Sequence, residues 1–288
     1  MLNYKYFNID ETPYSPPDEG NFGVTQKNMN FILIFDIGNS NITCAIYSQK
    51  KVITTWRLVS DQNKSADEYY HQIKPFIIDT QIDFISISSV VPQISKTFEE
   101  LIKKYFFHPY IFVNAKTELG LKFHVPDPTF IGADLIVNAF VAKEKYKSNC
   151  IIIDLGTATT IQLVGIDGTF YGYVIIPGVQ TSKNSIIEKA AQLHDFDFDI
   201  PETILGINTI QSLSSGIIRG HAFAIDSFIE DIKNEYTDLN QIKVIMTGGL
   251  AEIMQKFTKN IDVIDNSLQI EGLGLVGEMI INASQKIV

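Results

Sequence analysis

From Phe31 onward, apolar and polar positions alternate in short blocks that divide the chain into two stretches with the same order of elements. FILIF (31–35), ITCAIY (42–47) and VITTWRL (52–58) have the length and β-branched content of strands, with short polar turns between them. Ser65 followed by Glu68 is a capping-box pattern, and Tyr69, Ile73 and Phe76 share one helical face behind it. The pattern then predicts a strand at 83–88, a helix from Pro92 to Tyr105 and a strand at 110–113, giving βββαβαβ.

The second half repeats that order. CIII (150–153), TIQLVGI (160–166) and FYGYVII (170–176) read as strands, followed by a helical region from Gln180 and a long amphipathic helix from Thr209 to Tyr236. A strand at 242–246, a short helix from Leu250, a strand at 261–264 and a closing helix from Gly272 complete βββαβαβα, so a duplicated fold is predicted. Residues 1–28 are rich in Pro, Asn, Asp and Tyr without either period, and are expected to be a poorly ordered appendage before Met29. The expected organisation is an extension (1–28), a first domain with its connecting helix (29–146) and a second domain (147–288).

Composition narrows the chemistry. The 288 residues, 45% of them hydrophobic, are enough to fill two cores. A net charge of −10 argues against a general nucleic-acid binder, which releases counterions onto a basic face. The two cysteines, Cys44 and Cys150, sit in apolar runs, which leaves no disulfide framework or CxxC metal knuckle and fits a reducing, cytoplasmic compartment. No apolar run approaches a membrane span, and the polar, acidic N-terminus does not read as a secretory signal.

The duplication also recurs at the level of residues. Asp36-Ile37-Gly38-Asn39-Ser40-Asn41-Ile42-Thr43 closes the first strand of one half, and Asp154-Leu155-Gly156-Thr157 closes the first strand of the other. Glycine in a strand-to-strand turn lets main-chain amides approach an anion, and the neighbouring hydroxyl and amide side chains add neutral donors. An aspartate repels phosphate, so its role there is to hold a cation or its waters. One Asp-x-Gly turn alone is very often only a plain hairpin; two at matching places in a duplicated order point to a triphosphate. Gly248 and Gly249 in MTGGLA, between a strand and a helix, allow close backbone approach by the nucleoside side, although an ordinary turn has the same form. Asp134 opens the apolar run GADLIVNAFVA, where it is a candidate proton acceptor or a helix cap.

The motifs DIGNSN (36–41), SSVVPQ (88–93), IGAD (131–134), NAFVA (138–142), DLGTATT (154–160), IIPGV (175–179), LGINT (205–209), SGIIRG (215–220), TGGLA (247–251) and LQIEGLGL (268–275) resemble those of the type III pantothenate kinase family, in that family's order. The resemblance implies an α/β fold of duplicated ribonuclease H-like (actin/acetate kinase-like) domains that take ATP between them. It implies ATP-dependent phosphorylation of pantothenate to 4'-phosphopantothenate, the first step of coenzyme A biosynthesis. Asp134 would be the base, Asp36 to Thr43 and Thr157 would contact ATP, and Gly132, Ala133, Asp134, Leu135 and Thr209 would contact pantothenate. Asp154 would hold a monovalent cation, K+ or NH4+, and Asp36 magnesium through water. The family implies a homodimer, which suits the small residues of SSGIIRGHAFAI.

Two positions depart from the family. Leu135 stands where an arginine is usual, and Val125 where a tyrosine is common. Loss of a guanidinium fork removes a bidentate carboxylate partner. Compensation by Arg219, Lys183 or Lys122, a different hydroxylated acceptor, and a nucleotide-binding regulatory protein without transfer are the alternatives.

Overall fold

The computed structural model describes residues 30–190, 193–200 and 202–285; the predicted appendage at 1–28 lies outside them. The chain divides into two compact units, one of residues up to Asn114 together with those from Ile270 onward, the other Ala115–Gln269.

The first unit holds β1 (Ile32–Ile37), β2 (Asn41–Ser48), β3 (Lys51–Val59), α1 (Ala66–Ile73), β4 (Phe84–Ser89), α2 (Pro92–Tyr105) and β5 (Tyr110–Phe112). Its sheet runs β3-β2-β1-β4-β5, antiparallel through the two hairpins and parallel from β1 to β5. The capping box forms as predicted: Glu68 N donates to Ser65 Oγ and Ser65 N donates to Glu68 Oε2. On one sheet face Leu33, Phe35, Ile85 and Ile87 join Tyr69 and Ile73 of α1 and Phe98 of α2 in a buried core. Trp56 is buried and stacks on Phe76 at 4.7 Å, which fits a packing role.

The second unit contains β6 (Lys122–Phe123), α3 (Ala133–Tyr146), β7 (Cys150–Leu155), β8 (Ala158–Val164), β9 (Thr169–Pro177), α4 (Val179–Lys189), α5 (Thr209–Glu235), β10 (Lys243–Gly248), α6 (Ala251–Met254) and β11 (Val263–Ile264). The sheet order β11-β10-β7-β8-β9-β6 repeats that of the first unit, with β6 added beside β9. β6 was not predicted, because two residues show no period. The core on one face is built by Ile151, Ile153, Leu163 and Val244 against Ile218, Ala222 and Ile225 of α5. Cys44 and Cys150 are buried and free, and burial pushes the Cys150 thiol up to about 12.

The boundary expected at 146/147 falls instead at 114/115, and the last helix, α7 (Leu268–Gln285), starts four residues earlier than its pattern predicts and joins the first unit from Ile270. The physical reason is where two helices bury their faces. α3 is buried from Leu135 to Ala142 and packs on β7 and β8. α7 lies on the first sheet through glycines: a Cβ at Gly274 would come within 2.5 Å of the Tyr47 ring, and one at Gly277 within 2.9 Å of Ile32. Each repeat's closing helix therefore belongs to the sheet of the other repeat.

Candidate active site

In each unit the site begins at the end of the central strand. β1 delivers Asp36 into register with Thr43 of β2 on one side and Ser88 of β4 on the other. β7 delivers Asp154 into register with Thr160 of β8 and Thr247 of β10. The duplication thus produces the same row twice, a carboxylate between two hydroxyls on one face of a sheet. Paired residues in a ladder point to the same side, so each row is a set of oxygens facing one way.

Beyond each row lies a tight turn. In the first unit Gly38 N donates to Asn41 O at 3.0 Å, Ser60 Oγ donates to Gly38 O at 2.6 Å, and Asn39, Ser40 and Asn41 are exposed, while Ile37 and Ile42 anchor the turn in the core. In the second, Gly156 N donates to Ala158 O at 3.1 Å, with Gly156 and Thr157 exposed. The start of α4 is fastened to that turn: Gly178 N and Thr181 Oγ1 both donate to Thr157 O, at 3.1 and 2.6 Å. A Cβ at Gly178 would lie 2.3 Å from Gly156 O, so only glycine permits this approach. Gly248 ends β10 at φ +98° against Leu155, whereas Gly249 is exposed with open space around it.

The second unit adds a helix to its row. α3 begins at Gly132, so Asp134 is not the cap; it stands inside the first turn, where Oδ1 accepts from Leu135 N at 2.9 Å. One turn further, Asn138 Nδ2 donates to Asp154 Oδ2 at 3.1 Å. Burial holds the Asp134 carboxyl above its usual range. Asp154 is pushed up to about 6 by burial and by the nearby Asp134 charge, against the opposing hydrogen bond from Asn138. Two carboxylates lie close enough for one charge to act on the other, and one of them also accepts from the Asn138 amide.

This arrangement fits a cation. Asn138 is 1% exposed and its Oδ1 has no hydrogen-bond partner, so a buried acceptor sits beside two acidic groups. Oxygen donors of this kind suit potassium or magnesium. The described residues hold no cluster of three His, Cys, Asp or Glu able to cage a metal, so a magnesium ion here would take most of its ligands from phosphate and water.

Other sequence-predicted residues fall as follows. Thr209 is exposed at the start of α5, and Asn208, not Thr209, caps that helix by accepting from Gln211 N at 2.9 Å. Ala133 and Leu135 are buried. Lys122 pairs with Asp167 at 2.9 Å, Lys183 with Asp195 at 2.8 Å, and Arg219 Nη2 donates to Glu202 O while its guanidinium lies over Phe257, so each offered substitute for the missing arginine has other work. In the acidic run at 195–199, Asp195 receives the buried Lys183. His221 is buried in α5 with Nε2 2.9 Å from Thr159 Oγ1, a packed residue whose burial lowers its basicity. Sequence reasoning gave Asn138 no individual role, nor Ser88 and Thr247. A single amide four residues after Asp134 in an otherwise apolar helix was the available signal.

Two βββαβα units whose central strands each end in an aspartate and a glycine turn define the actin, sugar kinase and acetate kinase class of fold. Solved structures show the same fold. A conserved Campylobacter jejuni protein described as a Baf family transcriptional activator is 18% identical, with TM-score 0.54 over 87% of this chain and 99% of its own. The ethanolamine utilization protein EutJ from Carboxydothermus hydrogenoformans is 12% identical, with TM-score 0.51 over 92% and 91%. A Sinorhizobium meliloti protein described as a 2-dehydro-3-deoxygalactonokinase is 10% identical, with TM-score 0.52 over 86% and 99%. At these identities the likeness is one of fold. More narrowly, the chain belongs to the type III pantothenate kinase family, whose family model matches residues 32–231.

Proposed function

We propose that this protein transfers the γ-phosphoryl group of ATP to the primary hydroxyl of pantothenate, giving 4'-phosphopantothenate and ADP. The observation that carries the reading is Asp134 in the first turn of α3, beside Asp154 at the end of β7, in a chain of this family. The phosphate turns at Gly38–Ser40 and Gly156–Thr157 offer main-chain amides and neutral donors to the triphosphate. Gly248 and Gly249 serve the nucleoside side, and Gly132, Ala133, Leu135 and Thr209 the acceptor. Phosphoryl transfer asks mainly for positioning and charge stabilisation. Asp134, whose affinity for protons burial has raised, accepts the hydroxyl proton as the acceptor oxygen bonds to the γ-phosphorus and the bond to the ADP oxygen breaks. Magnesium near Asp36 and a monovalent cation at Asp154 supply charge neutralisation when bound. The compartment we propose is the cytoplasm. The partner is a second copy of the chain, seated on α5, where Gly216 and Gly220 face open space beside the exposed Phe223 and Ile207.

The test is a coupled assay for ADP. Release that requires pantothenate, magnesium and potassium supports the reading, and ATP turnover indifferent to pantothenate overturns it. A second reading, a kinase for another small hydroxylated acceptor, is favoured by one observation: Leu135 is buried, and Lys122, Lys183 and Arg219 are engaged elsewhere. An acceptor panel in which pantothenate is inert and another alcohol is phosphorylated selects it.

A further inference from the structure

We propose that Asn138 is a positioning residue of the cation site, acting through Asp154: its amide group fixes the carboxylate at the end of β7 and offers its own oxygen to the same monovalent ion. The inference deepens the functional reading above and rests on the cation assigned there. Three observations carry it. Asn138 is the residue through which α3 bonds to that carboxylate, by Nδ2 to Oδ2 at 3.1 Å. It lies one helical turn after Asp134, so the two side chains share a helix face towards β7. Its other end, Oδ1, is buried and unpartnered, which is costly unless a donor or a cation meets it.

The chemistry of the surroundings decides what that partner is. A carboxylate accepting from Asn138 requires the NH2 to point at Asp154, which leaves only the oxygen for a ligand. On β8 the buried Gln162 repeats the arrangement: Nε2 donates to Leu135 O at 3.2 Å, and Oε1 has no partner. Gln162 lies two residues past Thr160, the register partner of Asp154, and so faces the same side of the sheet. Two buried, unpartnered amide oxygens and the Asp154 carboxylate therefore stand between α3 and this face of the sheet as acceptors, an arrangement that suits a positive ion of weak hydration. The amide fixes a ligand in the way outer partners of metal ligands do.

The experiment is thermal unfolding of the full chain without nucleotide, titrated with potassium chloride against tetramethylammonium chloride at matched ionic strength. Wild type is expected to gain Tm with potassium alone. Asn138→Leu, which keeps shape but has no polar atom, is expected to need about 10–100-fold more potassium for the same rise. Asn138→Asp keeps an oxygen but loses the donor, and is expected to fail similarly. The exchanged pair Asn138→Asp with Asp154→Asn restores both the hydrogen bond and the charge, and is expected to recover part of the response lost by Asp154→Asn alone. It also stands in should Asn138→Leu not fold. A merely structural role lowers Tm equally in both salts and leaves the potassium midpoint unmoved; that result, absence of any potassium response in wild type, or an exchanged pair no better than Asp154→Asn overturns the proposal. Failure of pantothenate to support ADP release is read in a separate assay, so the two ideas fall independently.

Discussion

Asp154 shows how a site residue can work against the fold that carries it. Its carboxyl is raised to about 6, so between roughly pH 4 and 6 the folded chain holds a proton that the unfolded chain has released. Stability contributed by that proton is present below the unfolded value and lost as pH rises through 6. In potassium-free buffer Tm is expected to fall over this window, and Asp154→Asn to flatten the slope and raise stability at pH 7–8 by about 2–3 kcal/mol, measured by denaturant titration. Asp167 and Asp265 are shifted the other way, through Lys122 and Lys145, so their contributions disappear in stronger acid. Asp134→Asn is expected to lower turnover by about 10²–10⁴-fold with little change in ATP affinity. Normal turnover in that variant would remove the base. Both aspartates stand out in the sequence as candidates because their motifs are local. Asn138 does not, since the role proposed for it depends on a strand that starts twelve residues later and on how α3 meets it.

At the level of elements, two glycines set distances that larger residues would forbid. Gly178→Ala would drive a methyl into Gly156 O and Thr157 O, prising α4 from the turn proposed to hold phosphate. The expected outcome is a raised ATP KM with the acceptor KM unchanged, measured by steady-state kinetics. Gly274→Ala meets a fully buried Tyr47 ring and should destabilise the first unit by about 1–3 kcal/mol, read as a lower denaturation midpoint. The strands and helices themselves were largely readable: α2 falls on its predicted bounds, and both hairpins start each repeat as expected. What the pattern could not show is which sheet a helix covers. The apolar run of α3 says only that the helix is buried, and an amphipathic period carries no address.

For the whole molecule, the expected assembly is two copies joined through α5. Gly216, Gly220 and Phe223 line a groove of about 280 Å³ with Leu205 and Arg219, and small residues beside an exposed ring suit close helix contact. Light scattering is expected to give twice the 32.4 kDa mass of the chain, and Gly220→Glu to reduce it to one. A single-chain mass for the unaltered protein would sink the assembly. None of the helices among the described residues is long and apolar enough to cross a membrane.

The traded helices also impose an order on synthesis. The residues of the second unit have all been made before those of α7 that cover Ile32 and Tyr47. The earliest strands to emerge thus wait longest for their cover, and the later unit is the first able to close. A released chain that ends just before Leu268 should resist protease in its second unit while its first is still cut.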